Sequence, residues 1–361
     1  MRFRSLNIER KEKKILIKKI SHLFDAGSFI NGPQISKLEK KISQLTKRKY
    51  CVGVGSGTDA LILSLRLLNL KKNDEIIIPC MSWISTANAV LSVGCKPVFA
   101  DINEDLNIST TSIEKLITKK VKAIMYVNFG GRMCDIHELN KISKKYKIPL
   151  IEDGSQSFGA KYKNIINGQN GIISAISLNA MKVLGGIGEA GVILTNNKKF
   201  YNRLKIYRYA GMNDKKNCVY PSENYKIDTI QAIVILERLK SYKKNIKIRN
   251  INSKYIKNKL DNFFNFIEDK KDYFNSHYIL TAFSPNRDFI IKEALKSGIQ
   301  LQIHHFPLMC DMSFYKNKYR RDVKKGRKIA SQMFSIPFYE NLTNKDIDKI
   351  INVLKKISLK L

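Results

Sequence analysis

Between residues 49 and 195 the apolar positions gather into brief unbroken runs: Lys49–Val54, Glu75–Ile78, Pro97–Ala100, Val121–Val127, Pro149–Ile151, Ala175–Leu178 and Val192–Thr195. Runs of this kind, without polar alternation, predict strands buried on both faces. Elsewhere the spacing shifts to the three-to-four-residue period of amphipathic helices, at Ser36–Leu45, Asp59–Leu68, Ser85–Val93 and Asp135–Tyr146. A turn at Asn31-Gly32-Pro33 precedes the first of these. Strands alternating with helices predict an α/β fold built on a mostly parallel sheet with helices on both faces.

Past residue 200 the pattern becomes long, lysine-rich and helical, with Thr229–Tyr242 and Arg249–Phe264 as its clearest stretches. Short strands at Tyr278–Phe283 and Gln300–His304 and a final helix at Asn344–Leu354 follow. The expected organisation is a large domain over 1–235, including the N-terminal segment, and a smaller C-terminal α+β domain over 236–361. No internal repeat or low-complexity linker interrupts it.

A hydrophobic fraction of 43% in 361 residues fits a globular chain. The N-terminus lacks a leader-like apolar core, and no apolar run approaches the ~18 residues of a membrane span. The six cysteines stand singly, with no CxxC or metal-type spacing, so a reduced cytoplasm is the simplest compartment and no metal is expected. The formal charge of +34 comes from basic residues spread along the whole chain rather than gathered beside aromatic or motif residues. A solvated lysine surface explains that spread better than a nucleic-acid partner, and attraction of a phosphorylated substrate is a further use for it.

The chemistry concentrates at Lys182, in Ser177-Leu-Asn-Ala-Met-Lys182-Val-Leu-Gly-Gly-Ile-Gly, a glycine-rich stretch with few charges. Upstream, Asp153 closes the strand pattern Pro149-Leu-Ile-Glu-Asp. A lysine that can form a Schiff base and an acid that keeps a pyridine nitrogen protonated are what pyridoxal phosphate (PLP) requires. Asp153 alone also reads as a cap on the following turn.

Three further runs suit the same cofactor. Gly55-Ser56-Gly57-Thr58 lies between a strand and a helix start, an anion site or an ordinary turn with Thr58 as helix cap. Trp83, the sole tryptophan, follows the strand ending at Pro79, where it would lie on a planar ring or fill the core. Gln156 could contact the ring's oxygen side or a substrate, and Ser177 could add a hydroxyl to a phosphate.

Taken in order, these runs resemble the DegT/DnrJ/EryC1/StrS family of PLP-dependent sugar aminotransferases, with the aspartate-aminotransferase fold type I. The resemblance extends from Phe29-Ile-Asn-Gly-Pro33 to Ile336-Pro337. It includes Gly53–Ala60, Gly94–Asp101, Glu152–Gln156, Asn224–Ala232 and His304-His305-Phe-Pro307. It implies that Gly57, Thr58 and Ser177 hold the cofactor phosphate, Trp83 stacks on the ring and Asp153 pairs with its nitrogen. Gln156 would approach the ring oxygen, and Lys182 would be the Schiff-base lysine and the acid and base of transfer. Asn224 would reach the phosphate of a neighbouring subunit, implying a homodimer with shared sites. A histidine at the lysine position marks the family's dehydratases, so Lys182 implies amino transfer. Leu178–Met181, Lys226, Asn128–Arg132 and Met309 depart from the family pattern on the substrate side, where Arg132, His304 and His305 are the candidate contacts.

The expected activity is transfer of an amino group from glutamate (or glutamine) to a keto sugar, most often nucleotide-linked and deoxy, in amino-sugar and surface-glycan biosynthesis. A keto sugar acid such as 8-keto-3-deoxy-octulosonate, or a cyclitol, is the alternative substrate. A non-catalytic regulator or scaffold retaining the PLP fold is the alternative class.

Overall fold

The computed structural model describes every residue except Lys215. Helices α1 (Arg10–Ala26) and α2 (Pro33–Leu45) lead into β1 (Tyr50–Val54) and α3 (Gly57–Arg66). Then come β2 (Glu75–Pro79), α4 (Ser85–Ser92), β3 (Lys96–Ala100), α5 (Thr110–Leu116), β4 (Val121–Val127), α6 (Ile136–Tyr146) and β5 (Leu150–Asp153). A two-residue hairpin, β6 (Lys161–Tyr162) and β7 (Ile165–Ile166), precedes β8 (Ile173–Ser177) and β9 (Gly191–Thr195). The seven-stranded sheet runs β1-β9-β8-β5-β4-β2-β3. Only β9 is reversed, pairing antiparallel with β1 and β8, while the other neighbours are parallel.

Alternate residues of each central strand feed opposite layers, which is why the sequence shows unbroken apolar runs. Ile76 and Ile78 of β2 enter one core with Leu38, Ile42, Leu61 and Leu65 from α2 and α3. Ile77 enters the other, with Ile113 of α5 and Ile136 and Leu139 of α6.

Helices α7 (Lys198–Arg208), α8 (Thr229–Arg238) and α9 (Tyr242–Leu260) follow the sheet. The C-terminal layer adds β10 (Asn265–Phe266), β11 (Tyr273–Phe274), β12 (Leu280–Phe283), α10 (Arg287–Lys296), α11 (Lys324–Gln332), β13 (Met333–Ile336) and α12 (Asn344–Ser358). A third core joins Ile256, Leu280, Ile290, Phe334, Ile350 and their neighbours. The chain's first residues sit on this layer: Gln300 N–H donates to the Met1 carbonyl at 3.0 Å, and Phe3 N–H to Gln300 Oε1 at 3.1 Å.

Two expectations give way. The stretch 229–242 is not one helix, because Leu239, Lys240 and Ser241 form a turn and α9 starts at Tyr242. Gln300–His304 is no strand and touches the sheet only through the Gln302–Ser335 bridge. Helix α1, over a stretch with no element expected, spaces Leu16, Ile20, Leu23 and Phe24 at helical intervals but buries only Leu16 and Leu23. It is held by the Lys19–Glu237 and Glu12–Arg238 ion pairs to α8.

The strand β5 is fixed by charge as well as packing. Glu152, fully buried, accepts from Gly168 N–H at 2.9 Å, Asn128 Nδ2 at 2.8 Å and Ser174 Oγ at 2.7 Å. Arg48 donates to Ser174 Oγ at 3.1 Å and to the Gly168 and Gly171 carbonyls. Burial pushes the Glu152 carboxyl up and the Arg48 guanidinium down, and each charge partly offsets the other's loss of water. Replacing Glu152 with Ala strands a buried arginine and five donors, those of Asn128, Asn167, Gly168, Asn170 and Ser174, so it should cost about 3–5 kcal/mol, read as a lower urea midpoint. Glu152→Gln keeps most donors satisfied and should cost less.

Candidate active site

With β9 as the sole reversed strand, β1, β2, β5 and β8 all end at one sheet edge. A cavity of about 880 Å³ opens there. Nine of the eleven sequence-predicted residues line it: Gly57, Thr58, Trp83, Asp153, Gln156, Ser177, Lys182, His304 and His305.

Asp153 is buried at the end of β5, where Ser155 N–H donates to one carboxylate oxygen at 3.1 Å and Thr86 Oγ1 to the other at 3.3 Å. Burial raises its pKa, and the hydrogen bonds from Ser155 and the charge of Lys182 only partly oppose this. The site therefore holds a carboxylate that a further cationic N–H would stabilise.

Lys182 sits on a turn built around glycines. Ala180 N–H donates to the Gly188 carbonyl and Gly186 N–H to that of Leu178. A Cβ on Gly185 would come within 2.4 Å of the Asn179 oxygen, and one on Gly186 within 2.2 Å of Gln231 Oε1. Arg238 of α8 grips the turn, donating to the Gly185 and Gly186 carbonyls at 2.8 Å each. The Lys182 ammonium lies 4.9 Å from the centre of the Tyr278 ring.

The anion end is the start of α3. Ser56, not Thr58, is its N-cap, with Asp59 N–H donating to Ser56 Oγ at 3.0 Å. The Gly57 and Thr58 N–H groups occupy the first turn, where helices leave donors free. A Cβ on Gly57 would lie 2.5 Å from the Ser177 Cβ, so this approach of α3 to the end of β8 needs glycine. Trp83 is 61% exposed at the cavity wall, unusual for a large aromatic in a packed α/β fold and suited to a ring stacked on it.

Gln156 is buried, its Oε1 accepting from Gly130 N–H at 2.9 Å and its Nε2 facing His305 Nε2 at 3.3 Å. An amide nitrogen only donates, so His305 Nε2 accepts and its proton sits on Nδ1. Burial and then the charges of Arg4 and Lys182 hold His304 down to about 3, and burial with His304 and Lys182 beside it holds His305 well below its ordinary value, so both rings are neutral at pH 7.

Two expected residues lie elsewhere. Arg132 faces the C-terminal layer, donating to the Glu268 carbonyl at 2.9 Å and to Asp269 at 3.0 Å, so its guanidinium is already occupied. Asn224 is exposed, bridged to Tyr209 and outside this cavity. Arg4 and Tyr278 line the cavity without having been singled out. Neither stands in a motif; only the fold brings the N-terminal segment and residue 278 together.

A family model described as the DegT/DnrJ/EryC1/StrS aminotransferase family matches residues 10–355. The UDP-2-acetamido-2-deoxy-3-oxo-D-glucuronate aminotransferase of Pseudomonas aeruginosa is 29% identical over 337 residues, 92% of each chain. The 3-oxo-glucose-6-phosphate:glutamate aminotransferase of Bacillus subtilis is 28% identical over 365 residues, 96% of this chain and 81% of that one. A solved Bacillus subtilis NtdA structure with the cofactor PMP bound superposes at TM-score 0.92 with 26% identity, covering 99% of this chain and 85% of that one.

The raised Asp153 pKa carries a stability consequence. Its penalty is absent below the unfolded value of 3.8, develops as pH rises towards the folded value, and is complete above it. Asp153→Asn should therefore stabilise the cofactor-free protein at pH 7, read as a higher Tm, with the gain vanishing in acid. Thermal melting of both proteins across pH checks this.

Proposed function

The chain belongs to the DegT/DnrJ/EryC1/StrS aminotransferase family, and on that premise we propose that it moves an amino group from glutamate (or glutamine) to a nucleotide-linked keto sugar, with Lys182 as its catalytic residue. The observation that carries this reading is that the Lys182 amine and the buried Asp153 carboxylate line one cavity and act on each other electrostatically. The cofactor is pyridoxal 5'-phosphate, which when bound supplies an electron sink for the carbon that loses or gains the amine.

The chain's own groups then divide the work. Asp153 meets the protonated pyridine nitrogen, replacing the water both have lost. Gly57 and Thr58 N–H and the Thr58 and Ser177 hydroxyls receive the phosphate, and Trp83 covers one ring face. Gln156 lies on the ring-oxygen side. Lys182 would hold the cofactor through its amine and, with that amine free, would move the proton to and from the reacting carbon at Nζ. The neutral His304 and His305 face the substrate side, where uncharged rings donate and accept without opposing Lys182.

The two relatives act on a UDP-linked 3-oxo sugar acid and on a 3-oxo sugar phosphate, and both support a keto sugar here. Exposed Asn224 supports a homodimer in which it reaches the partner's phosphate end. Amino-sugar supply for surface glycans is the fitting physiological setting.

Two outcomes test this. Lys182→Ala should lower turnover of glutamate with a UDP-, dTDP- or GDP-linked keto sugar by about a thousandfold or more, while parallel ping-pong kinetics hold for the unaltered enzyme. Unchanged turnover would refute the catalytic assignment. Mixing inactive Lys182→Ala with crippled Asn224→Ala protein, after subunit exchange, should restore part of the activity, because a mixed dimer has one intact shared site. No restoration would place Asn224 outside any shared site.

A further inference from the structure

The cavity contains a positive charge that the cofactor chemistry does not use. Arg4 and Lys182 are its cationic lining residues. Arg4 donates from Nη2 to the Tyr278 carbonyl at 2.6 Å and also addresses the Tyr278 hydroxyl, while its Nε is buried without an acceptor. Glu340, the acid that feels its charge, is already paired with Arg249 at 2.5 Å. Arg4 is held in place rather than trailing. Phe3 beside it is buried, packs 5.1 Å from the His304 ring and donates to Gln300.

Arg4 and Lys182 share a neighbour in the cavity wall. The Arg4 guanidinium carbon lies 4.5 Å from the Tyr278 ring centre and the Lys182 ammonium 4.9 Å from the same centre. Burial pushes the Tyr278 hydroxyl up, but the charges of Lys182 and Arg4 outweigh it and bring its pKa below the ordinary value. In an amino acid the α-carboxylate carbon lies about 2.5 Å from the nitrogen. A donor whose nitrogen takes the place of Lys182 Nζ has its carboxylate in the cavity that Arg4 also lines, where a guanidinium fork suits bidentate recognition of it.

We infer that Arg4 is the anion-recognising residue of this site and takes the α-carboxylate of the amino donor. This rests on the aminotransferase reading and adds the residue that selects an α-amino acid. Holoenzyme should be titrated with succinate, an unreactive dicarboxylate, following the fluorescence of Trp83, the sole tryptophan. Arg4→Gln should weaken succinate about tenfold or more and raise KM for glutamate while leaving KM for the keto sugar unchanged, and Arg4→Lys should recover part of both. The visible cofactor band must persist in Arg4→Gln. Its absence from the unaltered enzyme would sink the aminotransferase reading instead. A rise confined to the keto-sugar KM would assign Arg4 to an anionic sugar group and overturn the donor assignment. Unchanged succinate binding, or none in the unaltered enzyme, would overturn the proposal altogether.

Discussion

A carboxylate at the end of a buried strand is costly unless a cation meets it. Asp153 is such a group, and much of the surrounding structure serves to keep it ionisable and aimed. Thr86 and Ser155 each address one oxygen, and Lys182 supplies the nearby positive charge. The Glu152–Ser174–Arg48 network fixes the strand one residue earlier, so the carboxylate has little freedom to turn away. In the proposed site a pyridinium nitrogen would offset the remaining penalty, so cofactor binding and the burial of this carboxylate would be coupled.

The sheet topology turns that local feature into a site. Reversal of β9 alone leaves β1, β2, β5 and β8 ending at one edge. The anion-binding helix start, the exposed Trp83, the Asp153 carboxylate and the Lys182 turn are delivered there from four separate strands. Glycines set the tolerances: Gly57 lets α3 approach Ser177, and Gly185 and Gly186 let the lysine turn fold back on Asn179 and α8. The grip of Arg238 on that turn passes through Glu12 to α1, so a helix from the start of the chain steadies the turn that carries Lys182.

Much of this was legible in the residues, for physical reasons that also explain the failures. Doubly buried strands announce themselves as unbroken apolar runs, so the sheet and its edge could be read from Glu75–Ile78 or Val121–Val127. Helix α1 carries only a sparse stripe, Leu16, Ile20, Leu23 and Phe24, in a lysine-rich stretch, and only its two leucines are buried. The turn at Leu239–Ser241 breaks an apparently continuous helical pattern without any glycine or proline to mark it. Arg132 looked available as a charged residue after a strand, yet Asp269, from far along the chain, already occupies it. Arg4 and Tyr278 were invisible because their meeting depends on the C-terminal layer capturing the first residues of the chain.

The most direct test of the central claim is the visible absorption spectrum of the protein reconstituted with pyridoxal 5'-phosphate, before and after glutamate. The account predicts a band from lysine-bound cofactor that is missing in Lys182→Ala and bleaches when glutamate is added to the unaltered enzyme. An unaltered protein with no such band, or a band that survives loss of Lys182, would contradict it.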